Sequence, residues 1–140
     1  MKFFKHKHGY LLDLGCGTCI LKKFIPDDTR YVGLDFSKNM LRKSHNLEII
    51  QADAEYLPFK ENSFDSIFII TVIQNLSEVQ SIFKEILKIS RPTCIFYASV
   101  LKKDDLSLKF EENLVRFNFK LKEKIELNKI EDNLFIFVRN

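Results

Sequence analysis

The chain alternates strand-sized apolar runs with helix-period segments, and that order leaves few folds open. Tyr10–Leu14 is a short apolar run, and Ile20, Leu21, Phe24 and Ile25 follow at helical spacing until Pro26 stops them. Arg30–Phe36 predicts a second strand, and Ser37 can cap a helix carrying Met40, Leu41 and Ser44. Leu47–Asp53 predicts a third strand, followed by a loop or broken helix around Pro58. Phe64–Ile73 is the most apolar run, which marks a central strand buried on both faces. Ser77–Gln80 reads as a capping box, and behind it Val79, Ile82, Phe83, Ile86 and Leu87 form one apolar helix face. Thr93–Val100 predicts a fifth strand, and Asp104 or Asp105 caps a helix with Leu106, Phe110, Leu114 and Phe117 on one side. Phe119, Leu121, Ile125 and Leu127 keep a two-residue period, the mark of a strand with one wet face, and Leu134–Val138 closes the series.

Such alternation calls for right-handed crossovers and a parallel sheet covered on both faces. The last two strands, met in succession, predict an antiparallel hairpin at one edge. The expectation is therefore an α/β fold with a seven-stranded mixed sheet and helices on both faces. No helix is expected before the first strand, and residues 1–140 are expected to form one domain with 1–9 as its tail. Ligands in such sheets bind beyond the carboxyl ends of the strands, where strand order reverses.

Composition narrows the classes. With 140 residues, 46% hydrophobic and 29% charged, the chain reads as soluble and globular. The net charge of +3 permits an anionic partner without arguing for one. No stretch approaches the roughly 18 apolar residues of a membrane helix, so no membrane partner is expected. The start, MKFFKHKHGY, is basic but lacks the apolar core of a secretory signal, and three cysteines without an export signal suggest reduced thiols in a cytoplasm. His6 and His8 have no third ligand in view and read as a solvated basic tail, so no metal is expected. The segment Lys102–Glu131 mixes both charge signs almost evenly, as a solvated face does.

The stretch DLGCGTCIL, Asp13 to Leu21, admits two chemistries. Cys16 and Cys19 form a Cys-x-x-Cys pair, as in thiol redox centres. That reading needs a strand and a helix ahead of the motif strand, and only nine residues precede Tyr10. Gly15 and Gly17 instead permit backbone angles closed to other residues and clear the path of a ligand. The helix start behind them offers free N–H groups near Gly17 and Thr18, suited to a carboxylate. A nicotinamide fingerprint would need Gly or Ala where Ile20 stands, and a branched side chain there is expected to obstruct helix–strand packing. The second strand ends at Asp35, 18 residues after Gly17, where an acid can accept from two ribose hydroxyls. Phe36 can stack on an adenine ring, and Asp53 at the end of the third strand can accept from an adenine amino group.

Together LLDLGCGTCIL, YVGLDFSKNML, QADAEYLPF and FDSIFIITVIQNL resemble the class I S-adenosylmethionine-dependent methyltransferases. The likeness is to the group containing ubiquinone-biosynthesis and tRNA wobble-uridine methyltransferases. It covers about residues 10 to 100 in motif and the rest in strand pattern, and it implies a minimal Rossmann-like domain with S-adenosyl-L-methionine as cofactor. By the resemblance Asp13, Gly15, Cys16 and Gly17 form the loop around the methionine part. Asp35 holds the ribose, Phe36 flanks the adenine, and Asp53 with the Ala54 amide reads it. Thr71 to Gln74 face the methyl group and substrate. Tyr10, Thr71 and Gln74 are candidates for catalysis, although no general base stands out. Cys19 occupies a position where the family usually has a third glycine. The acceptor is open between RNA, protein and a small molecule. The short lead-in to the first strand, with little room for a lid, favours an open cleft covered by RNA, by protein or by a small activator protein. A noncatalytic methyltransferase-like subunit is the rival, and a thiol redox protein the distant third.

Overall fold

The computed structural model describes residues 9–44, 48–70, 72–73, 79–102, 106–126 and 131–139. Seven strands make one sheet: β1 (Tyr10–Leu14), β2 (Arg30–Asp35), β3 (Glu48–Gln51), β4 (Phe64–Ile69), β5 (Ser90–Leu101), β6 (Phe119–Glu126) and β7 (Asp132–Arg139). Their order is β3-β2-β1-β4-β5-β7-β6, with the first five parallel and β7 antiparallel to both of its neighbours. Order reverses between β1 and β4, so the sheet opens its crevice beside the carboxyl end of β1. β4 is the central strand and is buried along its whole length, with Asp65 and Ser66 buried beside the apolar Phe64 and Ile67–Ile69.

The two faces of the sheet are built differently. On one, α2 (Val79–Ile89) and α3 (Leu106–Arg116) insert Ile82, Phe83, Ile86, Ile89, Phe110 and Leu114 against Leu12, Leu14, Ile67, Phe96, Phe135 and Phe137. On the other, the cover from described residues is slight. It consists of a 3₁₀ turn (Ile20–Phe24) and a one-turn helix, α1 (Lys38–Leu41), which bury Cys16, Cys19, Ile25 and Leu41 against Leu11, Tyr31 and Phe68. Ser37 caps α1 as expected, its hydroxyl accepting from the Met40 N–H.

Several expectations are corrected in detail. The segment after β1 is a 3₁₀ turn in which Leu21 and Ile25 pack with the core while Ile20 and Phe24 stand 62% and 60% exposed, so only half of the helical spacing serves the core. The obstruction expected from Ile20 therefore does not arise. β4 ends at Ile69, although Ile73 remains buried. β5 starts at Ser90 and takes in Pro92, with a shift of register against β4 between Phe64 and Ser66 that accommodates the missing N–H. In β6, Leu121 pairs with Phe137 and Glu123 with Ile136, leaving Lys122 as the extra residue of a bulge. Phe119 and Leu121 pack with the helical face, whereas Ile125, beyond the bulge, packs with the other. One inserted residue reverses the alternation, which is why a constant period over 119–127 misassigns the face.

The amino ends of β1 and β4 are tied by charge. One guanidinium nitrogen of Arg91 donates to both Asp65 carboxylate oxygens at 3.0 and 2.9 Å, and the Tyr10 N–H donates to Asp65 at 3.0 Å. No helix among the described residues is long and apolar enough to cross a membrane. The expected absence of a helix ahead of β1 falls on residues outside those described, as do His6, His8, Asp104, Asp105, and Ser77 and Glu78 of the capping box.

Candidate functional site

A cleft of about 570 Å³ lies at the carboxyl ends of β1, β2 and β3, within the size range of small-ligand sites. Its floor is Leu14, Gly15 and Gly17, and Asp35 and Phe36 rise from the end of β2. Asp53, Ala54 and Glu55 come from the segment after β3, and Ile70, Val72 and Ile82 form an apolar wall. The sequence-based candidates Gly15, Gly17, Asp35, Phe36, Asp53 and Ala54 thus meet in one place.

The glycines are there for backbone reasons. Gly15 has φ +77°, and a Cβ on it would lie 2.4 Å from a Val72 methyl. Gly17 has φ +53°, with the Met40 methyl 3.3 Å from where its Cβ would be. The Gly15 and Cys16 N–H groups both donate to the Leu34 carbonyl, which fixes the turn against β2. Asp35 then braces the loop from the cleft side. Its carboxylate accepts from the Gly17 N–H and the Ser37 N–H, each at 2.8 Å. A carboxylate has about four acceptor sites, so two remain for a ligand's hydroxyls. Phe36 is 74% exposed at the rim.

Two candidates lie behind the loop instead of in the cleft. Asp13 is only 4% exposed and accepts from the buried Tyr31 hydroxyl at 2.5 Å. Burial raises its carboxyl to about 6, the Tyr31 hydrogen bond counteracts that rise, and the nearby Asp35 charge adds to it. Cys16 is buried, and its thiol sulfur lies 3.3 Å from that of Cys19. Burial, with the neighbouring Cys19 next in weight, pushes the Cys16 thiol up, against the thiolate that a redox centre needs. Cys19 has φ 59°, in the left-handed region. Such a backbone favours glycine, which the resemblance leads one to expect at this position. A Cβ on Gly33 would lie 2.9 and 3.1 Å from the two sulfurs, so the thiols fill the space that this glycine leaves.

Tyr10 lies at the amino end of β1, where Arg30 donates to its hydroxyl and stacks over its ring. That is the pole opposite the cleft, so the structure does not bring Tyr10 to the other candidates. Thr71 and Gln74 lie outside the described residues, although Ile70 and Val72 on either side of Thr71 line the cleft. Sequence reasoning missed Met40, Glu55, Ile70 and Ile82, whereas Val72 falls within the Thr71–Gln74 stretch expected at the site. Met40 belongs to the helix expected after Ser37, and α1, one turn long, turns it to the rim. Among the described residues no cluster of metal-ligating side chains occurs.

Comparison with known proteins agrees with this architecture. Residues 12–98 match the family described as "Methyltransferase domain". The demethylmenaquinone methyltransferase of Geobacillus stearothermophilus is 33% identical over 94 residues, which is 58% of this chain but only 40% of that protein. Among solved structures, an S-adenosylmethionine-dependent methyltransferase from Aquifex aeolicus superposes with a TM-score of 0.86 at 16% identity, covering 99% of this chain and 86% of that one. A methyltransferase from Haloferax volcanii, solved with the Trm112 activator, gives 0.80 at 16% identity, covering 95% of this chain and 82% of that one. The chain belongs to the methyltransferase-domain family and has the fold of the S-adenosylmethionine-dependent methyltransferases among these structures.

Proposed function

We propose that this methyltransferase domain transfers a methyl group from S-adenosylmethionine to a small apolar ring acceptor, of the quinol kind that its relatives' name states. The cleft supports the reading. Glycine backbone and a carboxylate at one end meet an apolar wall at the other, which suits a ligand that is part nucleoside and part charged amino acid. The cradle at Gly15, which a Cβ would fill, fits that ligand's close approach to the backbone.

In this reading Asp35 holds the ribose hydroxyls with the acceptor sites left over from Gly17 and Ser37. Asp53 and the Ala54 amide meet the adenine edge, and Phe36 and Met40 flank its ring. The turn from Gly15 to Gly17 surrounds the methionine part. When bound, the cofactor supplies an electrophilic methyl on a sulfonium. The protein's contribution is to aim an acceptor in line with that methyl, and positioning of this sort can lower a barrier by about 7–11 kcal/mol in favourable cases. Ile70, Val72 and Ile82 exclude water and offer an apolar seat. Thr71 and Gln74 remain the proposed polar contacts on the acceptor side, and Tyr10 takes no part.

The experiment is methyl transfer from radiolabelled S-adenosylmethionine to three acceptor pools: a demethylated naphthoquinol, total RNA and total protein. Label in the quinol at about 1 turnover per second supports the proposal. Label only in RNA or protein overturns it. A second reading, in which a macromolecule or activator subunit covers the cleft, draws on the exposed Phe36 in its lining, on the exposed Tyr56 next to the lining residue Glu55, and on the Haloferax complex. It predicts label only when a co-purified partner is added.

A further inference from the structure

We infer that Tyr31 is a positioning residue for the cofactor loop: its buried hydroxyl holds the Asp13 carboxylate charged at the root of the loop and ties the loop's thiols to β2. The inference rests on the cofactor reading above. In the parallel register of β1 and β2, Leu11 pairs with Tyr31 and Asp13 with Gly33. Tyr31 and Asp13 therefore share one face, a diagonal step apart, and the bare Gly33 leaves a chamber beside them. Cys16 and Cys19 occupy that chamber. The Tyr31 hydroxyl donates to Asp13 at 2.5 Å and also meets the Cys19 thiol, which in turn donates to Cys16. Gly17, between the two cysteines, donates to Asp35 in the cleft. One linked set of groups thus runs from the middle of β2, beneath the loop, to the carboxylate that faces the ligand.

The chemistry follows from burial. A carboxylate away from water tends to keep its proton unless a donor stabilises the charged form. Tyr31 is that donor. The other titratable groups facing Asp13 are Asp35, whose charge opposes ionisation, and the Cys16 thiol. On the β4 side its neighbour is the apolar Phe68. An ionised Asp13 beneath the loop favours the positive charge of the methionine part above it. A neutral one does not.

Calorimetric binding of S-adenosylhomocysteine, which keeps the ammonium, is to be measured from pH 5 to 9 for the wild type and Tyr31→Phe. Wild-type affinity should be level above pH 7 and fall about tenfold between pH 6 and 5, as Asp13 takes up its proton. Tyr31→Phe should match the wild type within about twofold at pH 9, and its decline should begin at least about one pH unit higher. Asp13→Asn should flatten the acid limb in both backgrounds. A loss equal at every pH means that Tyr31 is only packing, and an unmoved profile means that its hydroxyl is idle; either overturns the inference. If Tyr31→Phe does not fold, the ¹³C carboxyl titration of Asp13 in the wild type decides. Its midpoint should fall on ligand saturation, and a midpoint indifferent to ligand overturns the inference. If the wild type binds no ligand at any pH, the cofactor reading fails separately. The same carboxyl titration in ligand-free Tyr31→Phe then tests the hydroxyl's hold, with an unmoved midpoint overturning it.

Discussion

From β1 to β3 the chain is short of helix and rich in backbone devices, whereas from β4 to β7 it is packed with phenylalanine. The first region places Gly15, Gly17 and Cys19 in left-handed conformations and buries the Asp13 carboxyl under the loop. Among the described residues, the helix in its connections after β1 and β2 is limited to the short segments Ile20–Phe24 and Lys38–Leu41. The second region carries two helices of 11 residues each. There Phe83, Phe110, Phe117, Phe96, Phe119, Phe135 and Phe137 form one continuous ring network, with neighbouring centroids between 5.5 and 6.3 Å. The difference teaches a division of labour. The left-handed loop and the Asp13 carboxyl lie beside the cleft, and close aromatic packing in the adjoining region keeps the sheet together, although that region also has left-handed Asn118 and the buried Asp65 paired with Arg91.

The comparison breaks most directly in the aromatic network. Phe110→Ala empties a buried site between Phe83, Phe135 and Phe137 and should cost about 3–5 kcal/mol in urea unfolding. Cofactor affinity of the molecules still folded should stay within about twofold. A large loss of affinity would show that the two regions are not separable.

The next effect in size comes from Asp13. Its folded carboxyl is raised from 3.8 to about 6, so the folded state holds a proton that the unfolded chain releases between those values. The sign follows: this group's contribution is fully present below about pH 3.8 and is lost as pH rises through 6, by about 3 kcal/mol in all. Subtracting the stability curve of Asp13→Asn from that of the wild type should isolate this slope. A slope of the opposite sign would mean that Asp13 is favoured ionised in the free protein.

Asp35→Ala should reverse the pattern of Phe110→Ala. Loss of a charged acceptor should weaken cofactor binding by about 1.5–3 kcal/mol, while the lost loop bond and α1 contact cost about 1 kcal/mol of stability. Calorimetry and thermal melting on one preparation give both numbers. The smallest effect is at Cys19. Relief of the left-handed strain should make Cys19→Gly more stable than Cys19→Ala by about 1 kcal/mol, the reverse of the usual order for a helical site. Equal stability of the two variants would mean that the φ of 59° costs nothing.

Much of this was legible in the sequence because it is written in local terms. The alternation of strand and helix periods gave the seven-strand order of elements, and the apolar-rich stretch Phe64–Ile73 marked the central strand. Gly15, Gly17 and Asp35 stood at strand ends, where the fold class puts ligands. What misled was also local. Ile20, Phe24 and Met40 had helical spacing, but spacing does not say whether the segment runs for three turns or one. The one-residue bulge at Lys122 left no mark in the period that it interrupts.

The sequence by itself determined the class of fold, the loop and the acid at the end of β2, because periodicity, glycine and a terminal carboxylate act within a few residues of where they stand. Only the tertiary structure decided that Asp13 faces Tyr31 and not the cleft, that two thiols fill the space over Gly33, and that Tyr10 stands at the wrong end of its strand to reach the site. Those outcomes depend on parallel register. Pairing Asp13 with Gly33 across two strands sets which side chains share a chamber, and no spacing along the chain encodes that pairing.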